Sequence, residues 1–243
     1  MRIIIIRHGD PDYAVDSLTE TGWKEAKLLA DRMAKTEMTD IYVSPLGRAQ
    51  DTLKPTLEKT GRTATTLEWL REFNPRINRP DTKDVQRVSW DWLPQDWTKH
   101  QEFFDKDTWG MNPIFVEGGV KKEYDWVTGN FDKLLAEHGY VRDGACYRVE
   151  KANRDTLVLV CHFGLECVLL SHLLNVSPMT LWHGTCASPS SVTSIYSEER
   201  REGIASFRMN YFGDISHLYA GGEEPSFAAR FCETYDNMDE RHD

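Results

Sequence analysis

The sequence predicts a layered α/β fold, and three observations carry that prediction. Residues 3–6 and 156–161 are short, unbroken apolar runs rich in β-branched side chains, as in strands buried on both faces of a sheet. Stretches of helical periodicity follow strand candidates three times along the chain. The length of 243 residues, with 40% hydrophobic and 28% charged side chains, suits one large domain, alone or with a small cap.

The elements follow in order. After the first strand, Thr19-Glu-Thr-Gly opens a stretch in which Trp23, Ala26, Leu29, Ala30 and Met33 recur at helical spacing. Residues 41–43 form a shorter strand, and residues 50–59 a second helix. Residues 164–174 read as a third helix, directly after the strand at 156–161. Residues 191–197 and 204–212 alternate apolar and polar side chains across Glu-Glu-Arg-Arg-Glu-Gly, which predicts a hairpin on the antiparallel edge of the sheet. Between residues 74 and 154 the pattern changes. Pro75, Pro80, Pro94 and Pro113 punctuate it, and Trp90, Trp92, Trp97, Trp109 and Trp126 fall within it. The reading is a single domain over residues 1–243 with an inserted helical cap at 74–154, closed by a helix at 120–138. The acidic tail from Gly221 is expected to end loosely.

A net charge of −10 argues against general attraction to nucleic acid or anionic membranes. No run of about 18 apolar residues occurs, so neither a signal peptide nor a membrane span is expected, and the chain is read as cytoplasmic. Cys146, Cys161, Cys167, Cys186 and Cys232 include no C-x-x-C pair and read as reduced structural thiols.

In parallel sheets ligands bind beyond the carboxyl ends of the strands. The residues there are Arg7-His8-Gly9, Ser44-Pro-Leu-Gly-Arg48 and His162-Phe163-Gly164. Two arginines and two histidines thus converge on one edge, and guanidinium forks beside helix N-termini match phosphate oxygens. A metal site using the histidines with Asp10 and Asp12 ranks below anion binding, because Arg7 and Arg48 would repel a cation. His100, His138, His172, His183, His217 and His242 read as ordinary structural or surface histidines. Ser44 and Gly9 suit either a brace for the loops or close approach of a ligand.

These motifs, in this order, resemble the histidine phosphatase superfamily, the phosphoglycerate-mutase-like proteins. Leu18-Thr19-x-x-Gly22, Leu70-Arg71-Glu72, Glu117-Gly118-Gly119 and the stretch from Asn210 to His217-Leu218 extend the match. Asp10, Phe163 and the tryptophan-rich middle depart from the usual pattern. The resemblance implies a three-layer α/β/α sandwich with a mostly parallel central sheet and an inserted cap. It implies His8 as the nucleophile, Arg7, Arg48 and His162 as holders of the phosphoryl group, and Glu72 as proton donor, with Glu68 as the other candidate. It calls for neither metal nor cofactor. The function it implies is hydrolysis of a small phosphorylated metabolite through a phospho-histidine. Phosphoglycerate mutase-type transfer is the alternative, although Phe73-Asn-Pro-Arg and Phe163-Gly-Leu-Glu stand where the mutases carry their own signatures. A non-catalytic phosphate-binding module is the remaining reading.

Overall fold

The computed structural model describes residues 1–82, 85–226 and 236–237. Cys232, His242 and the end of the acidic tail lie outside the described residues. The sheet strands are β1 (Arg2–Arg7), β2 (Asp40–Val43), β3 (Thr65–Thr66), β4 (Tyr140–Asp143), β5 (Cys146–Val149), β6 (Thr156–Cys161), β7 (Val192–Arg201) and β8 (Ile204–Asp214). The principal helices are α1 (Glu20–Met33), α2 (Gly47–Thr60), α3 (Val120–Glu137), α4 (Phe163–Leu174), α5 (Pro178–Gly184) and α6 (Ser216–Ala220).

The eight strands form one sheet in the order β3-β2-β6-β1-β7-β8-β5-β4. It is an α/β sandwich, as expected, with a mixed sheet: β3, β2, β6 and β1 are parallel, and the other half is antiparallel. The β7–β8 hairpin does not lie at the edge where the sequence places it. β7 pairs directly with β1, and the β5–β4 hairpin takes the edge. The reason is that residues 192–195 are fully buried at one end of β7, a pattern for an interior strand, while the polar alternation belongs to its far end.

Side-chain alternation along β1 divides the core. Ile3 and Ile5 face α3, α4 and α5, whereas Ile4 and Ile6 pack with Leu29 and Met33 of α1 and Ala49 and Leu53 of α2. Thr19 caps α1, accepting the Gly22 N–H at 3.1 Å. Gly22 is needed there because a β-carbon would come within 2.3 Å of the Asp10 carbonyl oxygen, so the loop after β1 can rest on the helix. The long middle segment divides. Its last part, β4 and β5, belongs to the main sheet, and α3 covers one sheet face. The part before α3 buries Trp92, Trp97, Phe103, Trp109 and Phe115 in a cluster continuous with that face's core. Among the described residues no helix is long and apolar enough to cross a membrane.

Candidate active site

Strand register builds the site. Arg7 pairs with Cys161 at the ends of β1 and β6, and Val43 of β2 pairs with Val160. His8, His162 and Ser44 therefore leave the sheet side by side. His8 N–H donates to Cys161 O at 2.9 Å and Ser44 N–H to Val160 O at 2.9 Å. The gap is where the chain passes from β1 out to β2 and later fills the space with β6, the usual place for a ligand crevice.

The two imidazoles lie 5.1 Å apart, both buried. His8 Nδ1–H donates to Gly9 O at 2.8 Å, which leaves Nε2 as the nitrogen with a lone pair. Burial, then the charges of Arg7 and Arg48, hold His8 well below the usual histidine range against the opposing Gly9 bond, so the ring is neutral. His162 is held low by burial and by His8, Arg48 and Arg7. Its Nε2 lies 2.8 Å from Ser44 Oγ, which accepts the Leu46 N–H at 3.2 Å. Its buried Nδ1 has no hydrogen-bond partner.

Arg7 is 2% exposed; its guanidinium bonds Ala187 O and lies 5.6 Å from the centre of the Phe163 ring. Arg48, at the start of α2, donates to Asp16 Oδ1 at 2.6 Å and sits 5.4 Å from the exposed Tyr13 ring. Burial pushes Asp16 up, but the Gly47 N–H and Arg48 outweigh it and hold the carboxylate below its ordinary value. Ser190 closes the floor, with a left-handed φ of 58°, its N–H donating to His8 O at 3.0 Å, and its Oγ 3.2 Å from His217 Nε2.

Of the two candidate acids, Glu72 faces the arginines and Glu68 lies exposed in a 3-10 turn. Glu72 Oε1 accepts the N–H groups of Phe73 at 2.8 Å and Leu165 at 3.1 Å. Burial nonetheless pushes its carboxyl up, against these bonds and the charges of Arg48 and Arg7. The chain passes close to this carboxyl at Gly164, where a β-carbon would lie 2.8 Å from Glu72 Oε1 and 2.7 Å from Trp90 Nε1. Half-buried Trp90 donates to Phe73 O at 2.6 Å and meets Phe163 edge-on.

The structure thus brings together Arg7, His8, Arg48, Glu72 and His162. The sequence does not single out Asp16, Tyr13, Glu25, Glu166 or residues 187–190. A signal exists for Glu25, which lies three residues from Gly22 and four from Leu29 on the buried stripe of α1. Among the described residues no group of three or more His, Cys, Asp or Glu side chains is placed to hold a metal ion.

A sheet crevice lined by two arginines, two neutral histidines and a half-buried carboxyl has the charge and hydrogen-bond donors that suit a phosphoryl group. The sequence model of the histidine phosphatase superfamily (branch 1) matches residues 3–117. Residues 3–117 thus carry that superfamily's sequence pattern, and the described residues form the α/β sandwich of its solved structures. The chain is 33% identical over 102 residues to the probable phosphoglycerate mutase GpmB of Yersinia pestis (strain Pestoides F), covering 37% of this chain and 47% of that protein. The chain thus matches about half the length of the curated relatives. A phosphoserine phosphatase mutant of Entamoeba histolytica, solved with phosphoserine, shares the fold with a TM-score of 0.59 and 18% identity, over 89% of this chain and 98% of the other. A mycobacterial glucosyl-3-phosphoglycerate phosphatase has a TM-score of 0.54 and 19% identity, over 87% and 98%.

Proposed function

We propose that this protein is a phosphatase that hydrolyses the phosphate monoester of a small metabolite through a phospho-histidine at His8. The observation that carries the reading is the committed tautomer of His8: Nδ1–H is spent on Gly9 O, so a neutral ring presents Nε2 near buried Arg7 and half-buried Arg48. Nε2 attacks phosphorus in line and the bond to the leaving oxygen breaks. Arg7 and Arg48 bind the equatorial oxygens, and the unpartnered Nδ1 of His162 supplies a further donor once Ser44 bonds Nε2. Glu72, whose carboxyl burial pushes up, serves as the acid that protonates the leaving alkoxide and then as the base that takes a proton from the water that cleaves the phospho-histidine. The pocket's positive charge is the protein's own, so the reading is metal-independent. The phosphoserine bound to one structural neighbour supports a small phosphorylated substrate. Names of the sequence relatives favour mutase transfer as the second reading.

The test is turnover of p-nitrophenyl phosphate with and without EDTA, together with labelling by a phosphorylated substrate. Activity that survives EDTA, and an acid-labile label lost in His8→Ala, are expected. Complete loss on chelation, or full labelling of the variant, overturns the reading. Exchange of label between phosphoglycerates without release of inorganic phosphate selects the mutase.

A further inference from the structure

Glu25 is fully buried on α1, and the chemistry proposed above does not use it. Its Oε2 accepts the Asp10 N–H at 2.8 Å. The carbonyl of the same peptide unit, Gly9 O, accepts His8 Nδ1–H at 2.8 Å. One amide therefore stands between carboxyl and imidazole, bonded at each end. A negative acceptor at the N–H end draws the amide proton and moves electron density toward the carbonyl oxygen, which strengthens the second bond. Carboxylates that bond a histidine directly fix its tautomer and raise its basicity. Here the peptide is interposed.

We infer that Glu25 is a positioning residue that acts on His8 through the Gly9–Asp10 peptide, keeping the proton on Nδ1 and supporting the cationic ring formed when Nε2 takes the phosphoryl group. The inference rests on the reading of His8 as nucleophile. In the step, the Nε2–P bond forms as the bond from phosphorus to the leaving oxygen breaks, Glu72 protonates that oxygen, and Nδ1 keeps its hydrogen. No proton passes to Glu25.

The surroundings make this support dependent on pH. The charged groups acting on Glu25 are Asp10, on the loop after β1, and Arg7, at the strand's end. α2 faces the loop with neutral Thr52, which accepts the Gly9 N–H at 2.8 Å. The C-terminal segment brings Ser226, whose hydroxyl donates to Asp10 Oδ1 at 2.6 Å, while Thr19 donates to Asp10 Oδ2 at 2.6 Å. Burial pushes the Glu25 carboxyl up to about 7 despite the N–H groups of Asp10 and Ser226 and the charge of Arg7. Below that point the carboxyl is a neutral acceptor, and above it a charged one.

The experiment records His8 ring resonances in 15N-histidine-labelled full-length protein across the neutral range, with Glu25→Gln and Glu166→Gln beside wild type. The expected result is a shift of His8 Nδ1–H with a midpoint near 7 that disappears in Glu25→Gln and persists in Glu166→Gln. On p-nitrophenyl phosphate above that midpoint, Glu25→Gln should lower kcat about tenfold with KM little changed, and its rate should lack the wild-type rise through neutrality. A wild-type His8 resonance that does not move near pH 7, which needs no variant, overturns the inference. So does a Glu25→Gln pH profile parallel to wild type. If the resonance follows Glu25 while wild type turns over no phosphate ester, the phosphatase reading falls and the coupling stands.

Discussion

Glu166 lies in the first turn of α4, 1% exposed and within reach of the Arg7 charge. Burial pushes its carboxyl from an ordinary 4.5 up to about 7, with the Thr193 hydroxyl and Arg7 acting the other way and Glu72 adding to the rise. In the unfolded chain the group ionises near its ordinary value, whereas in the folded protein it holds its proton to about 7. Across that interval the unfolded state binds fewer protons, so stability falls as pH rises and levels off once the folded form has ionised. The span corresponds to about 3 kcal/mol, from roughly 1.4 kcal/mol for each pH unit between the two ionisation points. Glu166→Gln removes the titration while keeping the side chain's shape. Urea unfolding of both proteins, followed by tryptophan fluorescence at about pH 5 and about pH 8, should show the variant gaining about 2–3 kcal/mol on wild type between the two conditions. Glu25 titrates alike in both and cancels. A difference between the proteins that is the same at both pH values would refute the claim that Glu166 ionises inside the fold.

Glu72→Gln should lower turnover of an alkyl phosphate by about a hundredfold or more and that of p-nitrophenyl phosphate far less, since nitrophenolate leaves without a proton. Glu68→Gln should change neither, and equal losses on both esters from Glu72→Gln would remove Glu72 as the donor. Trp92→Ala should cost about 3–5 kcal/mol in thermal or urea unfolding, because its ring is buried against Phe103 and Phe115. Trp90→Leu should instead change the ratio of kcat/KM between naphthyl and methyl phosphate with a small change in Tm, since its half-buried ring stands beside Glu72 and Phe163. A ratio unchanged by Trp90→Leu would place selectivity elsewhere.

Local pattern made much of this visible in the sequence. β1, β6, α1, α2 and α4 follow from apolar runs and periodicity that hold whatever their neighbours are. The position of the β7–β8 hairpin inside the sheet, and the recruitment of β4 and β5 as its edge, depend on pairing between distant segments. Tyr-Val-Arg-Asp and Cys-Tyr-Arg-Val carry too little apolar pattern to announce those edge strands. Arg7, His8, Arg48 and His162 stand out in the sequence because Arg7 ends β1, His8 and His162 follow strand ends directly, and Arg48 opens the helix after the β2 loop. Glu72 was legible only through the family resemblance, since it follows an irregular stretch. Glu25, Glu166 and Asp16 gain their importance from burial or contact with the arginines, which are tertiary properties that local sequence does not encode.

The position of β1 bears on how the molecule is made. It precedes the other seven strands of the sheet, and both of its neighbours, β6 and β7, lie more than 140 residues further along. Until residues 156–161 are made, the nascent Ile-Ile-Ile-Ile run has no native edge to pair with and no complete layer to cover it. Such a segment is a template for pairing between chains. Closing a sheet across so long a separation is also intrinsically slow. Yield during expression, and recovery on refolding at high protein concentration, should therefore be governed by how well this hydrophobic strand is shielded until residues 156–161 emerge.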